Sequence, residues 1–136
     1  MRKIALAALA AASVLAACAP PKKNTPIAEI PQLTKLDDVM DNQATAFDPV
    51  YGIRGNASFT DADFAALAQA GDRIQATSLK AKDFANGRAE IAAFAMRLNE
   101  KAKALSTTAG AKDAAGAKAA LGDMKTVCKE CHSKFR

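Results

Sequence analysis

The chain has 136 residues, and its 19 basic and 14 acidic side chains give a formal net charge of +5. This length suits one domain with a modest core, which must come from Ala, Leu and Phe because the sequence has no Trp and one Tyr. The basic residues form no stripe interleaved with aromatic residues, so the sequence gives no support for nucleic-acid binding.

The first element, residues 1–17, is predicted to be a secretory signal peptide. A basic start precedes an apolar run rich in Ala and Leu that is too short to span a membrane comfortably. The run ends in Leu-Ala-Ala-Cys at 15–18, which resembles a bacterial lipobox. That resemblance implies cleavage before Cys18 and lipidation of this residue, and several acyl chains would anchor the protein stably to a membrane. Ordinary cleavage that leaves Cys18 as a stray thiol is the alternative.

The second element, residues 18–32, is predicted to be a tether outside the core. It holds four prolines and two adjacent lysines, a composition that favours a semi-rigid extended spacer. Residues 33–136 are then the folded domain, carried by the lipid anchor.

The first two helices are predicted at 33–47 and at about 61–79. The first carries Leu36, Met40 and Ala44 on its inward stripe, and Pro49 is predicted to stop it. In the second, Thr60 is the predicted N-cap. Gly71 weakens this helix by about 1 kcal/mol unless a neighbouring helix packs closely against it.

The third helix is predicted at about 86–105, with a break at 106–111, and the fourth from about 112 to the end. Apolar residues of the fourth recur at steps of three and four, which is the pattern of a bundle seam. No segment alternates with the period of a strand. Four amphipathic helices with short connections predict an all-α fold, an antiparallel four-helix bundle.

The end of the fourth helix carries Cys128, Cys131 and His132 as Cys-x-x-Cys-His, the attachment signature of a c-type haem. Positions i, i+3 and i+4 share one helix face, so two thiols can add to porphyrin vinyl groups while the imidazole binds iron. A redox dithiol and half a zinc site are the alternatives. A zinc site would need two further ligands, whereas the chain has no second His and only the distant Cys18.

A helical bundle that ends in this motif resembles the class II c-type cytochromes, the cytochrome c′ family. The tail at 128–136 is similar to the family's ending, with an aromatic and a basic residue three and four places after His132. The resemblance covers 33–136. It implies one covalent haem c near the C-terminus, thioether links at Cys128 and Cys131, His132 as the proximal iron ligand, and a periplasmic location.

The resemblance also implies that the other face of the iron meets the first helix. A methionine there gives a six-coordinate haem for electron transfer, and a bulky apolar residue gives an open or gas-gated site. Met40 is the predicted distal ligand, with plain core packing as the alternative. Met96 is predicted to fill the core, and Met124 lies on the haem-bearing helix itself.

The function predicted from these features is one-electron transfer by a periplasmic, lipid-anchored cytochrome with redox partner proteins in the periplasm or membrane. No residue has the pattern of a general acid, general base or nucleophile, so an enzyme is not predicted. The alternative is a five-coordinate haem protein that binds nitric oxide or carbon monoxide. Arg136 is expected either to place a cation near His132 or to remain a solvated terminal charge. The resemblance leaves a homodimer open.

Overall fold

Four α-helices form the fold of the described part of the chain, residues 23–136. A computed structural model describes residues 23–136, so the predicted signal peptide and Cys18 lie outside the described residues. The helices are α1 (Leu36–Tyr51), α2 (Asp61–Asp83), α3 (Ala89–Gly110) and α4 (Ala114–Phe135). The described part contains no strand, and the prediction of an all-α four-helix bundle is confirmed. Within 23–136, no helix is both long and apolar enough to cross a membrane.

The start of α2 is fixed by a capping box. The Asp63 backbone N–H donates to the Thr60 hydroxyl at 3.1 Å, and the Thr60 N–H donates to the Asp63 carboxylate at 2.8 Å. The Thr60 N–H, and after it the Thr60 hydroxyl, which also donates to the Asp63 carboxylate at 2.8 Å, lower the pKa of Asp63 below its ordinary value. The predicted N-cap is therefore confirmed, and two backbone donors that α2 could not satisfy within itself are paired.

The predicted apolar stripe of α2 supplies much of the core. Phe64, Leu67 and Ile74 are all buried, and they form one cluster with residues of the other three helices. At the middle of α2, a side chain on Gly71 would place Cβ 2.2 Å from Ser106 Oγ and 2.9 Å from the Ala102 carbonyl oxygen. The missing side chain thus permits a close approach of α2 to α3.

Two predicted helix ends are wrong. Pro49 lies inside α1, which continues to Tyr51 and into a 3-10 turn at Gly52–Gly55. A proline this close to a helix end removes one hydrogen bond near the terminus without breaking the body of the helix. The break predicted at 106–111 is also absent as far as Gly110: the Ser106 hydroxyl donates to Asp72 of α2 at 2.8 Å, and Ala109 is buried in the core. The polar side chain of Ser106 joins two helices and does not end one.

The described part of the predicted tether is folded against the bundle. Residues 23–35, called the strap below, include a 3-10 helix at Ile27–Gln32 in which Ile30 is fully buried. Lys23 forms an ion pair of 2.6 Å with Asp38 of α1, and the Thr45 hydroxyl donates to the Lys23 carbonyl at 3.1 Å. From Lys23 onward the chain is therefore not a spacer. Prolines stiffen a segment whether it is free or docked, so their number did not reveal that Ile30 is buried.

The helices pack in chain order, α1 on α2, α2 on α3 and α3 on α4. Across 23–136, α1 and α4 share no contact of comparable extent. Just after α1, Arg54 Nε donates to the Lys118 carbonyl of α4 at 3.3 Å, and Lys118 Nζ donates to the Asn56 carbonyl at 2.6 Å. The two helices themselves meet where Lys125 of α4 lies 5.9 Å and 5.4 Å from the ring centroids of Phe47 and Tyr51. Towards the other end of the bundle, a cavity takes the place of the α1–α4 contact.

Candidate functional site

The cavity has a volume of about 1030 Å³ and is lined by residues of all four helices. Sites for small molecules and cofactors usually measure about 300–1,000 Å³, so this cavity is large enough for a sizeable planar group. Its wall is mainly apolar, with Leu36, Ala44 and Phe47 from α1 and Ile91, Phe94 and Leu98 from α3.

The α4 wall of the cavity carries the Cys-x-x-Cys-His residues. Cys128, Cys131 and His132 all line the cavity; the two cysteines are half-buried and the histidine is exposed. One to three turns before them on the same helix, Leu121 and Met124 are fully buried. The packed seam of α4 therefore turns into the cavity wall at the position of the motif.

Both thiols are held in the protonated form. Burial raises the pKa of Cys128, and burial likewise raises the pKa of Cys131. A reactive dithiol needs the opposite shift, because the thiolate is the nucleophile and such sites lower the thiol pKa. The environment of this pair thus argues against the redox-dithiol alternative.

His132 is held in the neutral form. Its pKa is lowered first by desolvation at the cavity wall and then by the positive charges of Arg136 and Lys125. Neutral imidazole is the form that binds a metal, so iron has no proton to displace from His132 at neutral pH. Arg136 also lines the cavity, which supports the expectation that it places a cation near His132.

The α1 wall carries the predicted distal residue. Met40 is half-buried and lines the same cavity as His132, together with Leu36 and Ala44 of the predicted inward stripe. Met124 is fully buried in the α4 wall. Met96 was predicted as core filler, which is wrong, because it is 37% exposed on α3.

The sequence pattern did not identify Gln43 as a residue of the site, whereas Phe94 and Phe135 lie on apolar stripes that it predicted. Gln43 lines the cavity one turn from Met40, and within 23–136 its Nε2 is buried without a hydrogen-bond partner. Phe94 and Phe135 meet edge to face on the α4 side, with ring centroids 6.2 Å apart. Gln43 follows Met40 by three positions, so the helical period contained the signal, but only apolar residues were traced along that stripe.

These residues fit a covalently attached haem. Two protonated thiols and a neutral imidazole share one wall of an apolar cavity. An orphaned amide in the α1 wall offers a hydrogen-bond donor to a polar substituent. Cys128, Cys131 and His132 would hold the group from α4. For zinc the fit fails, since no cluster of three or more His, Cys, Asp or Glu residues occurs in the described part of the chain.

Comparison with known proteins gives one match. The model of a protein family described as cytochrome c′ matches residues 56–136, which include α2, α3 and α4 with the Cys-x-x-Cys-His residues. Neither the curated proteins nor the solved structures include a significant match to the chain. The helix that carries Met40 lies before the matched segment.

Proposed function

Because the chain belongs to the cytochrome c′ family and is therefore a haem-binding cytochrome with one covalent haem c, we propose that it is a one-electron carrier with a six-coordinate iron. In this proposal Cys128 and Cys131 form the thioether links, His132 is the proximal ligand and Met40 is the distal ligand. The protein contributes binding, ligation and electrostatics, and no residue acts as a chemical catalyst.

One observation carries the proposal. Met40 and His132 line the same cavity from α1 and α4, the two helices that this cavity separates. A planar group held on α4 by two neighbouring thiols would thus have an imidazole on one helix and a thioether on the other. His–Met ligation is a known mode of c-type cytochromes, and the thioether raises the potential.

The haem, when bound, supplies an iron that gains and loses one electron. Each cysteine binds by adding its S–H across a vinyl group, which forms one S–C and one C–H bond. Apolar residues such as Leu36, Ile91 and Leu98 line the cavity. Two protein ligands held by α1 and α4, with apolar side chains around them, would reduce the reorganisation that accompanies a one-electron change.

Spectroscopy of the Met40→Ala variant tests the proposed ligation. The wild-type protein is expected to show low-spin absorption in both oxidation states and slow reaction with carbon monoxide. Met40→Ala is expected to become high-spin, with a lower potential and fast carbon monoxide binding, because the thioether is gone. Met96→Ala is the matched control, since this methionine is exposed on α3. An unchanged oxidised spectrum in Met40→Ala would contradict the assignment.

Binding of nitric oxide or carbon monoxide is the alternative function. It is favoured by the α1 wall, where Ala44 and Phe47 flank Met40 and would leave an apolar distal face if the thioether packed aside. The wild-type spectrum separates the two functions. A high-spin ferrous form that shifts on addition of gas supports gas binding, and a low-spin form that resists carbon monoxide supports electron transfer.

The proposed location is the periplasm, with Cys18 as a lipid anchor and redox proteins of the periplasm or membrane as partners. Members of the family are typically periplasmic. Since the strap docks from Lys23, only five residue steps separate Cys18 from the folded part, a reach of at most about 17 Å. Cys18→Ala is expected to move the cytochrome from the membrane fraction to the soluble fraction. Retention in the membrane fraction would overturn the anchor.

A further inference from the structure

The strap, α1 and α2 meet at one buried polar contact. Asn42 of α1 is fully buried; its Oδ1 accepts the Thr25 backbone N–H at 2.7 Å, and its Nδ2 donates to the Thr25 hydroxyl at 3.2 Å and to the Asp38 carbonyl at 2.8 Å. Arg73 of α2 donates to the Thr25 carbonyl and lies 3.4 Å from Asn42 Oδ1. Both polar groups of the Asn42 side chain thus bond the strap, and Oδ1 also meets Arg73 of α2; the bond to Asp38 stays within α1.

This contact lies on the side of α1 that faces away from the cavity. Successive helical residues are about 100° apart, so Asn42 projects about 160° from Met40 around the helix axis. Two further strap contacts, at Asp38 and Thr45, are four and three positions from Asn42 and share its face. The strap therefore lies along the back of the helix whose front forms the cavity wall.

The chain just after α1 is held by the contact between Arg54 and Lys118, and Lys125 of α4 lies over the rings of Phe47 and Tyr51 near the end of α1. Around Met40 the cavity lies between α1 and α4, so this part of α1 is held by α2 and the strap. We infer that Arg73 and Asn42, by clamping the strap across the back of α1, are positioning residues that set the distance of Met40 from the His132 side of the cavity. The effect on iron ligation rests on the proposed function; the clamp on α1 does not.

The test compares haem-loaded, full-chain variants by hydrogen exchange and spectroscopy. Arg73→Met keeps the aliphatic stem and removes the donors. Amide exchange in α1 is expected to become about tenfold faster relative to α4, the effect of losing one hydrogen bond to a charged group. The low-spin fraction is expected to fall and carbon monoxide binding to accelerate, and Arg73→Lys is expected to recover part of each change.

Thr60→Ala is the control, because it weakens the start of α2, away from Arg73, and Thr60 makes no contact with the strap. It should leave both the α1-to-α4 exchange ratio and the spectrum as in the wild type. Should Arg73→Met fail to accumulate, Thr25→Ala, which deletes one hydroxyl acceptor, gives the same readouts with a smaller change. Unchanged α1 exchange, or an equal effect of Thr60→Ala, would overturn the clamp. If Met40→Ala leaves the spectrum unchanged while Arg73→Met still speeds amide exchange in α1, the proposed ligation by Met40 is wrong, and the role of Arg73 in holding α1 is retained.

Discussion

At the scale of single residues, Gly71 shows how one missing side chain sets the distance between two helices. An added methyl group would press on the Ala102 carbonyl and on the Ser106 backbone nitrogen, both 2.9 Å from the ideal Cβ position. Backbone atoms cannot swing aside as the end of a flexible side chain can. The cost of a glycine in α2 is therefore offset by the packing of α2 on α3.

Gly71→Ala is expected to destabilise the protein by about 1–3 kcal/mol, the usual cost of overpacking a tight interior. Gly122→Ala is the matched control, because its Cβ would lie 3.6 Å from Arg54, an ordinary contact in the middle of α4. That change should stabilise by up to about 1 kcal/mol through helix propensity. Urea unfolding measures the change in the free energy of unfolding for both variants. A neutral or stabilising effect of Gly71→Ala would contradict the close approach of α2 to α3.

The motif residues were predictable from sequence because their spacing alone defines a shared helix face. The contact between Asn42 and Arg73 was not predictable, since the two residues are 31 positions apart and belong to no recognisable motif. Their role depends on where the strap lies, and no local pattern encodes that position. Sequence periodicity identifies the apolar stripe of a helix, whereas a buried polar contact between three segments requires the tertiary structure.

At the scale of elements, the start of α2 is encoded locally and the ends of α1 and α3 are not. Thr60 and Asp63 satisfy each other's backbone N–H groups within four residues, so the sequence is sufficient to place this helix start. In the last part of α3, the Ser106 hydroxyl donates to Asp72 of α2, a partner that is 34 positions away in sequence. A polar stretch read alone resembles a loop, and only its partner helix shows otherwise.

The capping box gives α2 a pH dependence with a definite sign. The folded pKa of Asp63 is below its ordinary value of 3.8, so the stabilising effect of the carboxylate is fully present above that value and disappears as the pH falls through the folded pKa. Asp63→Asn is expected to be less stable than the wild type at pH 7 and to approach it in acid. Urea unfolding at neutral pH and near pH 2 measures this difference.

If the difference in the free energy of unfolding between the wild type and Asp63→Asn stayed constant down to acid pH, the ionised carboxylate would not be the stabilising group. Thr60→Ala provides the companion measurement. It removes the hydroxyl acceptor of the N-cap and is expected to cost about 1 kcal/mol at neutral pH.

At the scale of the whole molecule, the two ends of the bundle differ: the chain after α1 is bonded to α4 at one end, and a cavity lies between α1 and α4 towards the other. α2 packs on α3 and α3 on α4, and α1 packs on α2 and is bonded to the strap. Lys125 of α4 also lies over the rings of Phe47 and Tyr51 near the end of α1. The sequence predicted the four helices and the α4 side of the site. It could not predict that the α1–α4 contact gives way to a cavity, because that depends on the relative placement of helices that are distant in sequence.

From this arrangement we expect covalent haem attachment to contribute to folding stability as well as to the proposed electron transfer. Without the two thiols, a cavity of about 1030 Å³ would separate α1 from α4, and apolar side chains such as Leu36, Phe47 and Ile91 would lose a packing partner. Cys128→Ala with Cys131→Ala is therefore expected to lower the free energy of unfolding by at least about 3 kcal/mol, comparable to exposing one or two large side chains.

Circular dichroism and α1 hydrogen exchange measure the effect, and the haem content of each sample is determined in parallel. Loss of protection should be greatest in α1 and smallest in the α2–α3 pair, because those helices pack on each other without the cavity between them. Arg97→Ala is the control, since it breaks an exposed ion pair with Glu130 on α4 and should cost no more than about 1 kcal/mol. If the double variant lost its haem but kept its stability and α1 protection, the bundle would be self-sufficient, and the haem would have only a redox role.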